Sequence, residues 1–468
     1  MIKKSFKNLK FKNLYLLLTL SLKSILLMSK LSHKCFIALS LSSFVFSPTA
    51  YLSAKEKNTG VSIEVVSTEK ISNTSRPINL TPTYPMPLIR EGSGQIQSTA
   101  RETFLGKPGF FREGGDSNKR ITSIDFPAPV RHGTSIVPHT TQLVRGYKAA
   151  KRNTAKDSIT TTSPYNRAGK LYIIQSSTSS SFGACSASMI GRGLVLTASH
   201  CLFSYGESPS YKSGSSVLPY KVYFVPSANK TTTSVTLAGT AATGPYGSWQ
   251  VDGYAFPKCY VRGNCAGGWT SNDIALIRLK KKSGSKPLPW NNGIGYFGYG
   301  WNNYGFVRNK LFGNIKSNQL TQLGYPAGLG DSTSNFGGAM VRTDALARQY
   351  SRTNEWGSMQ SPGASGGPAI VNFGRSPTVT SRAHVGTKIA ANILVGTLSY
   401  GYTDSSSVFK PHKLGASIFG RNANFRAASY RDTAGKNWGS GNIGALMRAA
   451  CGKGYGNWKA SGYCRSAS

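Results

Sequence analysis

From Leu171 onward the apolar positions come in short bursts: KLYIIQ, ACSASMIG, GLVLTASHC, YKVYFVP, DIALIRL, QLTQLGYP, GGPAIVNF and ANILVGTLSYG. Each burst is rich in β-branched, aromatic or small residues, and each is closed by Gly, Ser, Asn or Pro. That punctuation predicts strands joined by tight turns. Only NIGALMRAA, residues 442–450, carries apolar residues at helical spacing, and it predicts a short C-terminal helix. No internal repeat of about 20–50 residues is visible. The pattern predicts an all-β chain built as antiparallel barrels or a sandwich.

Two stretches precede this region. In residues 1–54, Met28 opens the basic stretch MSKLSHK, followed by the apolar run CFIALSLSSFVF and the small residues of SPTAYLSA. This order is that of a secretory signal peptide, with cleavage expected after Ala50 or Ala54. The run, about 12 residues, is too short to span a bilayer. The upstream LYLLLTLSLKSILL is broken by Lys23, so it is either an extended basic leader or lies before a true start at Met28. Residues 55–167 are rich in Pro, Ser, Thr, Arg and Lys without sustained periodicity, and they read as a pro-segment or flexible spacer. The alternative is a small domain of its own. Lys151-Arg152 and Arg167 offer basic processing sites. Residues 168–468 then form the principal domain. After the leader no segment is long and apolar enough for a transmembrane span.

Composition changes the picture in two ways. The 52 glycines suit turns better than helices. The charge is lopsided, with 56 Lys and Arg against 17 Asp and Glu for a net +39. Such a cation associates nonspecifically with anionic surfaces in a salt-sensitive way. The excess reads either as a specific anionic partner or as a general solubility trait. No basic run is interleaved with aromatics as in a nucleic-acid groove, so no specific nucleic acid is expected. Lys280–Lys282 reads as a solvated loop.

Seven cysteines are present, and Cys35 falls in the leader. The other six permit 15 pairings. Sequential neighbours are the simplest: Cys185 with Cys201, Cys259 with Cys265, and Cys451 with Cys464. The spacings match no zinc signature, so disulfides in an oxidising compartment are expected, with the product secreted to the extracellular space or periplasm.

Three motifs carry candidate chemistry. In Leu194-Val-Leu-Thr-Ala-Ser-His200-Cys201 an apolar strand ends in small residues and delivers a histidine beside a cysteine; the bland reading is a structural histidine. In Ser271-Asn272-Asp273-Ile274-Ala275-Leu276-Ile277 a carboxylate enters a strand apolar enough to be buried. An imidazole N–H is a suitable donor to it, although a turn-capping aspartate is the simpler explanation. In Ser361-Pro362-Gly363-Ala364-Ser365-Gly366-Gly367-Pro368 glycines flank a serine. They let the backbone point the amides of Gly363 and Ser365 at one spot, as an oxyanion hole requires. The alternative is a flexible turn.

In the order His, Asp, Ser, the motifs TASHC, NDIALI and GASGGP resemble the three signatures of trypsin-like serine endopeptidases of the chymotrypsin fold. The stretches YNRAGKLYI and CSASMIGRGLVLTASHC are particularly similar to the bacterial glutamyl-endopeptidase-like branch. The resemblance covers about residues 165–450. It implies two antiparallel β-barrels, with His200 and Asp273 from the first and Ser365 from the second. It also implies a histidine-loop disulfide between Cys185 and Cys201. His200 would act as general base and acid, Asp273 would fix its tautomer, and Ser365 would be the nucleophile, with no metal or cofactor required.

The chain departs from that family at Ala364, where trypsin-like zymogens carry an aspartate that pairs with the new N-terminal amine. Activation is therefore expected not to depend on that ion pair, although removal of residues 55–167 would still uncover the cleft. Met359 stands where trypsin has its basic-selective aspartate, and an apolar floor disfavours Arg or Lys. Ser399-Tyr400-Gly401 resembles the strand that pairs with the substrate backbone. No histidine for glutamate selectivity is evident, since His384 and His412 are distant in sequence, and a medium apolar side chain is expected. The function expected is a secreted serine endopeptidase acting on proteins or peptides. The alternatives are a catalytically weak protease-fold protein that binds through its cationic surface, and an esterase using the same triad.

Overall fold

The computed structural model describes residues 63–67, 81–83, 85–90, 107–114, 131–132, 139–144, 159–211, 217–228, 235–236, 239–240, 245–309, 315–328, 339–350, 353–374, 390–403 and 411–465. The leader expected in residues 1–54, with Met28 and Cys35, lies outside them, as do Lys151-Arg152 and His384.

Twelve strands build the frame. The first six are β1 (Ala168–Ile174), β2 (Ser181–Met189), β3 (Leu194–Thr197), β4 (Lys221–Pro226), β5 (Trp249–Pro257) and β6 (Ala275–Leu279). They pair antiparallel around a closed ring in the order β1-β2-β3-β6-β5-β4 and back to β1. The second six are β7 (Ile315–Gly324), β8 (Val341–Tyr350), β9 (Thr353–Gly357), β10 (Pro368–Val371), β11 (Ile393–Thr403) and β12 (Pro411–Ile418). They close in the corresponding order, β7-β8-β9-β12-β11-β10. The molecule thus has two closed six-stranded antiparallel barrels, as the strand pattern and the resemblance imply. Closure leaves neither ring with an open edge.

The burst pattern has a physical cause. Leu171 and Ile173 of β1 point into the first barrel with Val195, Phe224 and Ile277. Tyr172 and Ile174, on the other face, join a larger cluster that contains Leu276, Leu323, Tyr325, Ile443 and Leu446. Strands buried on both faces lose the polar alternation of a half-exposed sheet and read as continuous apolar runs. Among the described residues two short α-helices are present: α1 (Lys258–Arg262), ending at left-handed Gly263, and α2 (Gly441–Cys451), which agrees with the helix read from the sequence. Ile443, Leu446 and Ala450 of α2 belong to the larger cluster.

Residues 63–144, whose composition predicts little regular structure, contribute strands to these sheets. Ile63–Ser67 lies antiparallel to β5, and His139–Leu143 lies antiparallel to β8. Gly109–Phe111 pairs with Gly298–Trp301, which in turn runs beside β11. Glu113 accepts hydrogen bonds from Arg167 and, at 2.7 Å, from Asn392 Nδ2. The long strands overshoot their rings, and their unpaired backbone groups accept added strands of almost any sequence. This is why composition alone gives no sign of them.

Candidate active site

His200 is positioned by β3. After Thr197 the chain leaves the sheet and makes a single 3-10 turn, Ser199–Cys201. Two fastenings hold that turn: Ser199 Oγ donates to the Ile274 carbonyl at 2.9 Å, and Cys201 is bonded to Cys185 of β2 with Cα atoms 6.1 Å apart. The other expected pairs, Cys259–Cys265 and Cys451–Cys464, are bonded as well.

Asp273 is fully buried two residues before β6. Stranding a carboxylate there would be costly without donors, and it has several. The His200 amide donates to Oδ1 at 2.9 Å, and His200 Nδ1 lies 2.6 Å from Oδ2. Ser399 Oγ, from β11, donates to Oδ2 at 2.5 Å. The Tyr260 phenol of α1 also hydrogen-bonds to Asp273; burial first, then this carboxylate, pushes its pKa well above the ordinary value. The Asp273 amide donates to Ser417 Oγ of β12 at 3.2 Å. The aspartate therefore belongs to the first barrel but is gripped by two strands of the second.

Asn272 anchors the approach to this carboxylate. Its Oδ1 accepts from Asn422 Nδ2 at 2.9 Å and from Asn442 Nδ2 of α2 at 3.4 Å, and its Nδ2 donates to Asn424 Oδ1 at 3.0 Å.

The third motif is a loop between β9 and β10. Its Gly363 and Gly366 have φ of +101° and +77°, which an L side chain resists. A Cβ at Gly366 would strike Thr197 Oγ1 and the Ser186 carbonyl. That glycine lets the loop press against the end of β3, beside the histidine turn. The amides of Gly363 and Ser365 are aimed indirectly. In a trans peptide the N–H points opposite the preceding carbonyl. Pro362 O accepts from the Ala327 amide at 2.8 Å, and Ala364 O accepts from the Gly367 amide at 3.0 Å. Ser186 Oγ accepts from the Tyr325 amide and donates to Gly363 O, each at 2.8 Å, and so fixes the loop to both barrels.

His200 Nε2 and Ser365 Oγ are buried and have no hydrogen-bond partner. Other buried polar atoms, such as Ser188 Oγ and Trp356 Nε1, are likewise without a partner; what sets this pair apart is that an imidazole nitrogen and a hydroxyl stand on segments packed together at Gly366.

Of the remaining expected residues, Ala364 is fully buried, with Gln322 and Gln360 close by across Gly324. Met359 is half-buried, and its amide donates to Thr141 Oγ1 at 3.4 Å. Beneath it Thr343 Oγ1 lies 3.0 Å from each of Thr141 Oγ1, Ser358 Oγ and Gln360 Nε2. Tyr400 OH donates to Glu355 Oε1 at 2.9 Å. Gly401 N donates to Pro87 O at 3.1 Å. His412 falls in β12.

Thr141, Ser186, Tyr260, Ala327 and Ser417 were missed by sequence reasoning. Only Ser186, next to Cys185, had a local signal. The others reach the site through pairings that no spacing reveals.

The sequence profile of the family described as Trypsin matches residues 159–409. A glutamyl endopeptidase of Bacillus licheniformis is 28% identical over 188 residues, which is 39% of this chain and 46% of that protein; the chain thus spans about half the length of this curated relative. Two solved structures each give a TM-score of 0.37 at 17% identity. The protease Anisep from Arthrobacter nicotinovorans is covered over 90% of its chain and 55% of this one. The thermostable serine protease AL20 from an extremophilic microorganism is covered over 92% and 55%. More than half of the chain, including all three motifs and most of both barrels, falls within the profile, and the chain belongs to the trypsin family.

Proposed function

We propose that the chain is a secreted serine endopeptidase, with residues 55–167 serving as its pro-segment. The observation that carries this reading is the Asp273–His200 pair of 2.6 Å, with His200 Nε2 and Ser365 Oγ both buried and unpartnered. The imidazole Nδ1–H donates to Asp273, which leaves Nε2 as the acceptor for the Ser365 proton. Ser365 Oγ then attacks the peptide carbonyl, and the protonated His200 delivers its proton to the leaving amine. Water, deprotonated by the same imidazole, releases the acyl group. Asp273 stabilises the imidazolium, and the amides of Gly363 and Ser365 hold the oxyanion, each such donor lowering the barrier by about 2.7–4 kcal/mol.

Three disulfides support an oxidising destination. Among the described residues no helix is long and apolar enough to cross a membrane. Activation proceeds without an amine–carboxylate pair at position 364, because the neighbourhood of Ala364 is supplied by neutral amides. With Met359 at the pocket, the residue before the scissile bond is a medium apolar one, and a peptide-library profile dominated by glutamate or arginine overturns that part.

Prolonged fluorophosphonate treatment followed by peptide mapping tests the whole. Modification of Ser365 that is lost in Ser365→Ala supports the endopeptidase. No modification, together with salt-dependent binding to anionic surfaces, supports the binding protein instead. Comparison of ester and peptide substrates separates an esterase.

A further inference from the structure

We propose that residues 81–83 and 85–90 form a built-in inhibitor: a proline-stiffened strap laid across the cleft with its chain direction opposite to that of a cleavable substrate. This rests on the hydrolase reading above and adds how that site is held silent.

The strap touches both sides of the cleft through its backbone. Thr81–Thr83 runs parallel to Ser181–Gly183 of β2 in the first barrel. Leu88–Arg90 runs parallel to Gly401–Thr403 of β11 in the second, and the Gly401 amide donates to Pro87 O at 3.1 Å. Between these anchors Pro85 lines one cavity with His200, Cys201 and Gly183. Met86 is buried in the apolar cluster of the second barrel, which includes Ala364 and Leu398. Ser365 is fully buried, and the His200 side chain is only 6% exposed. In the full chain the two reacting groups are thus shut away from solvent.

Direction follows from the chemistry. Attack by Ser365 leaves the acyl half of a substrate, its N-terminal side, on the serine. The leaving amine must depart on the side where His200 can protonate it, and His200 shares its cavity with Gly183 and Ser181 of β2. A productive substrate therefore runs from β11 toward β2. The strap runs from β2 toward β11. A peptide bond of this polarity offers its nitrogen away from the imidazole, so the strap occupies the site without being cut.

The sequence Thr81-Pro-Thr…Pro85-Met86-Pro87 suits this task. Proline fixes its own φ and keeps the residue before it extended. Little conformational entropy is then lost on docking. Strand addition to the open side of β11 supplies main-chain hydrogen bonds regardless of side chain.

The strap is separable from the other added strands. Gly109–Phe111 pairs with Gly298–Trp301, His139–Leu143 with β8 under the Met359 pocket, and Ile63–Ser67 with β5, so cuts between Ser67 and Thr81 and between Arg90 and Lys107 would free the strap and leave all three in place.

The test uses the full chain carrying site-specific protease recognition sequences between Ser67 and Thr81 and between Arg90 and Lys107. Fluorophosphonate labelling of Ser365 should be at least about 100-fold faster after cutting and dialysis than before. Met86→Asp in the uncut chain should raise the rate about tenfold or more. Independently of catalysis, a synthetic peptide of residues 79–92 should bind the cut Ser365→Ala protein by fluorescence anisotropy, and should survive intact with the active protein. Equal labelling before and after the cut, with no peptide binding, overturns the strap and leaves the protease reading standing. Peptide binding without labelling in either state upholds the strap and removes the protease reading. Cleavage of the bound peptide overturns the reversed direction.

Discussion

Inside the first barrel Leu171, Ile173, Val222, Phe224 and Ile277 meet in an aliphatic and aromatic core, while the second encloses Ala345, Ala347, Ala369 and Ala416 around Trp356. The strand order is the same, but the fastening is not. Cys185–Cys201 closes the first barrel beside the histidine, and Cys259–Cys265 ties α1 to the turn that follows it. The second barrel has no disulfide among the described residues. It carries buried hydroxyl and amide groups instead: Thr141, Thr343, Ser358, Gln360 and Gln322. This division matches what each half is asked to hold. On the proposed mechanism the first holds a proton relay, which needs one rigid geometry, and the second holds a loop of amides and a specificity pocket, which need polar partners more than bulk.

The change that strikes the relay hardest is Asp273→Asn. The amide keeps one acceptor oxygen; with that oxygen held by the His200 main-chain N–H, its NH2 faces Nδ1, which must then accept, and the imidazole settles into the wrong tautomer. In other triad enzymes that costs on the order of 10⁴-fold in kcat. The expected loss here is similar, measured as kcat on a peptide substrate, with thermal unfolding unchanged within a few degrees. A loss below tenfold would mean that the aspartate is only a strut.

Lys170 lies on β1, the strand of the first barrel that contacts β7 of the second, and tests that side of the molecule. Burial pulls the Lys170 ammonium down from 10.5 to about 7. Between pH 7 and 10.5 the unfolded chain holds a proton that the folded chain does not, so the stability deficit is full below about pH 7. It shrinks as pH rises and vanishes above the unfolded pKa. Lys170→Met keeps most of the packing and removes the charge. It should stabilise at pH 6 by an amount whose ceiling is on the order of 4 kcal/mol, and the gain should disappear near pH 10.5. Denaturant melts of both proteins at pH 6, 8 and 10 measure it. A gain independent of pH breaks the assignment.

What could be read from the sequence sorts along the same division. Leu194–Cys201 and Asp273–Ile277 were legible because strand, small residues and a polar side chain are contiguous, and the hydrogen-bonded His200–Asp273 pair is assembled from them. The serine loop was legible for the same reason. The polar lining under Met359 was not: Thr141 arrives from a segment of unremarkable composition, across more than 200 residues, by backbone pairing with β8. Tyr260 was invisible too, since a tyrosine in KCYVR reads as core. The identical strand order of the barrels left no repeat in the sequence, because two packed barrels constrain burial and turn chemistry rather than residue identity.

Replacing both Cys185 and Cys201 by alanine should destabilise by about 2–4 kcal/mol, read from denaturant midpoints. The relay should suffer with it, since the histidine turn then depends on Ser199 alone. If activity at low temperature is untouched, the disulfide serves the barrel and not the site.

Thr343→Val asks whether the hydroxyl chain in the second barrel sets specificity without touching the relay. Thr343 Oγ1 accepts from Gln360 Nε2 and is linked to both Thr141 Oγ1 and Ser358 Oγ. Valine matches the shape but leaves Gln360 and one hydroxyl without a partner, at about 1–3 kcal/mol of stability. Gln360 adjoins Met359, so the pocket floor loosens, while Asp273 and His200 keep every hydrogen bond described for them. The expected result is a raised KM with kcat close to that of the unchanged protein, the signature of lost ground-state binding. Should kcat fall while KM holds, the second barrel would be part of the relay after all, and the separation of roles between the barrels would not stand.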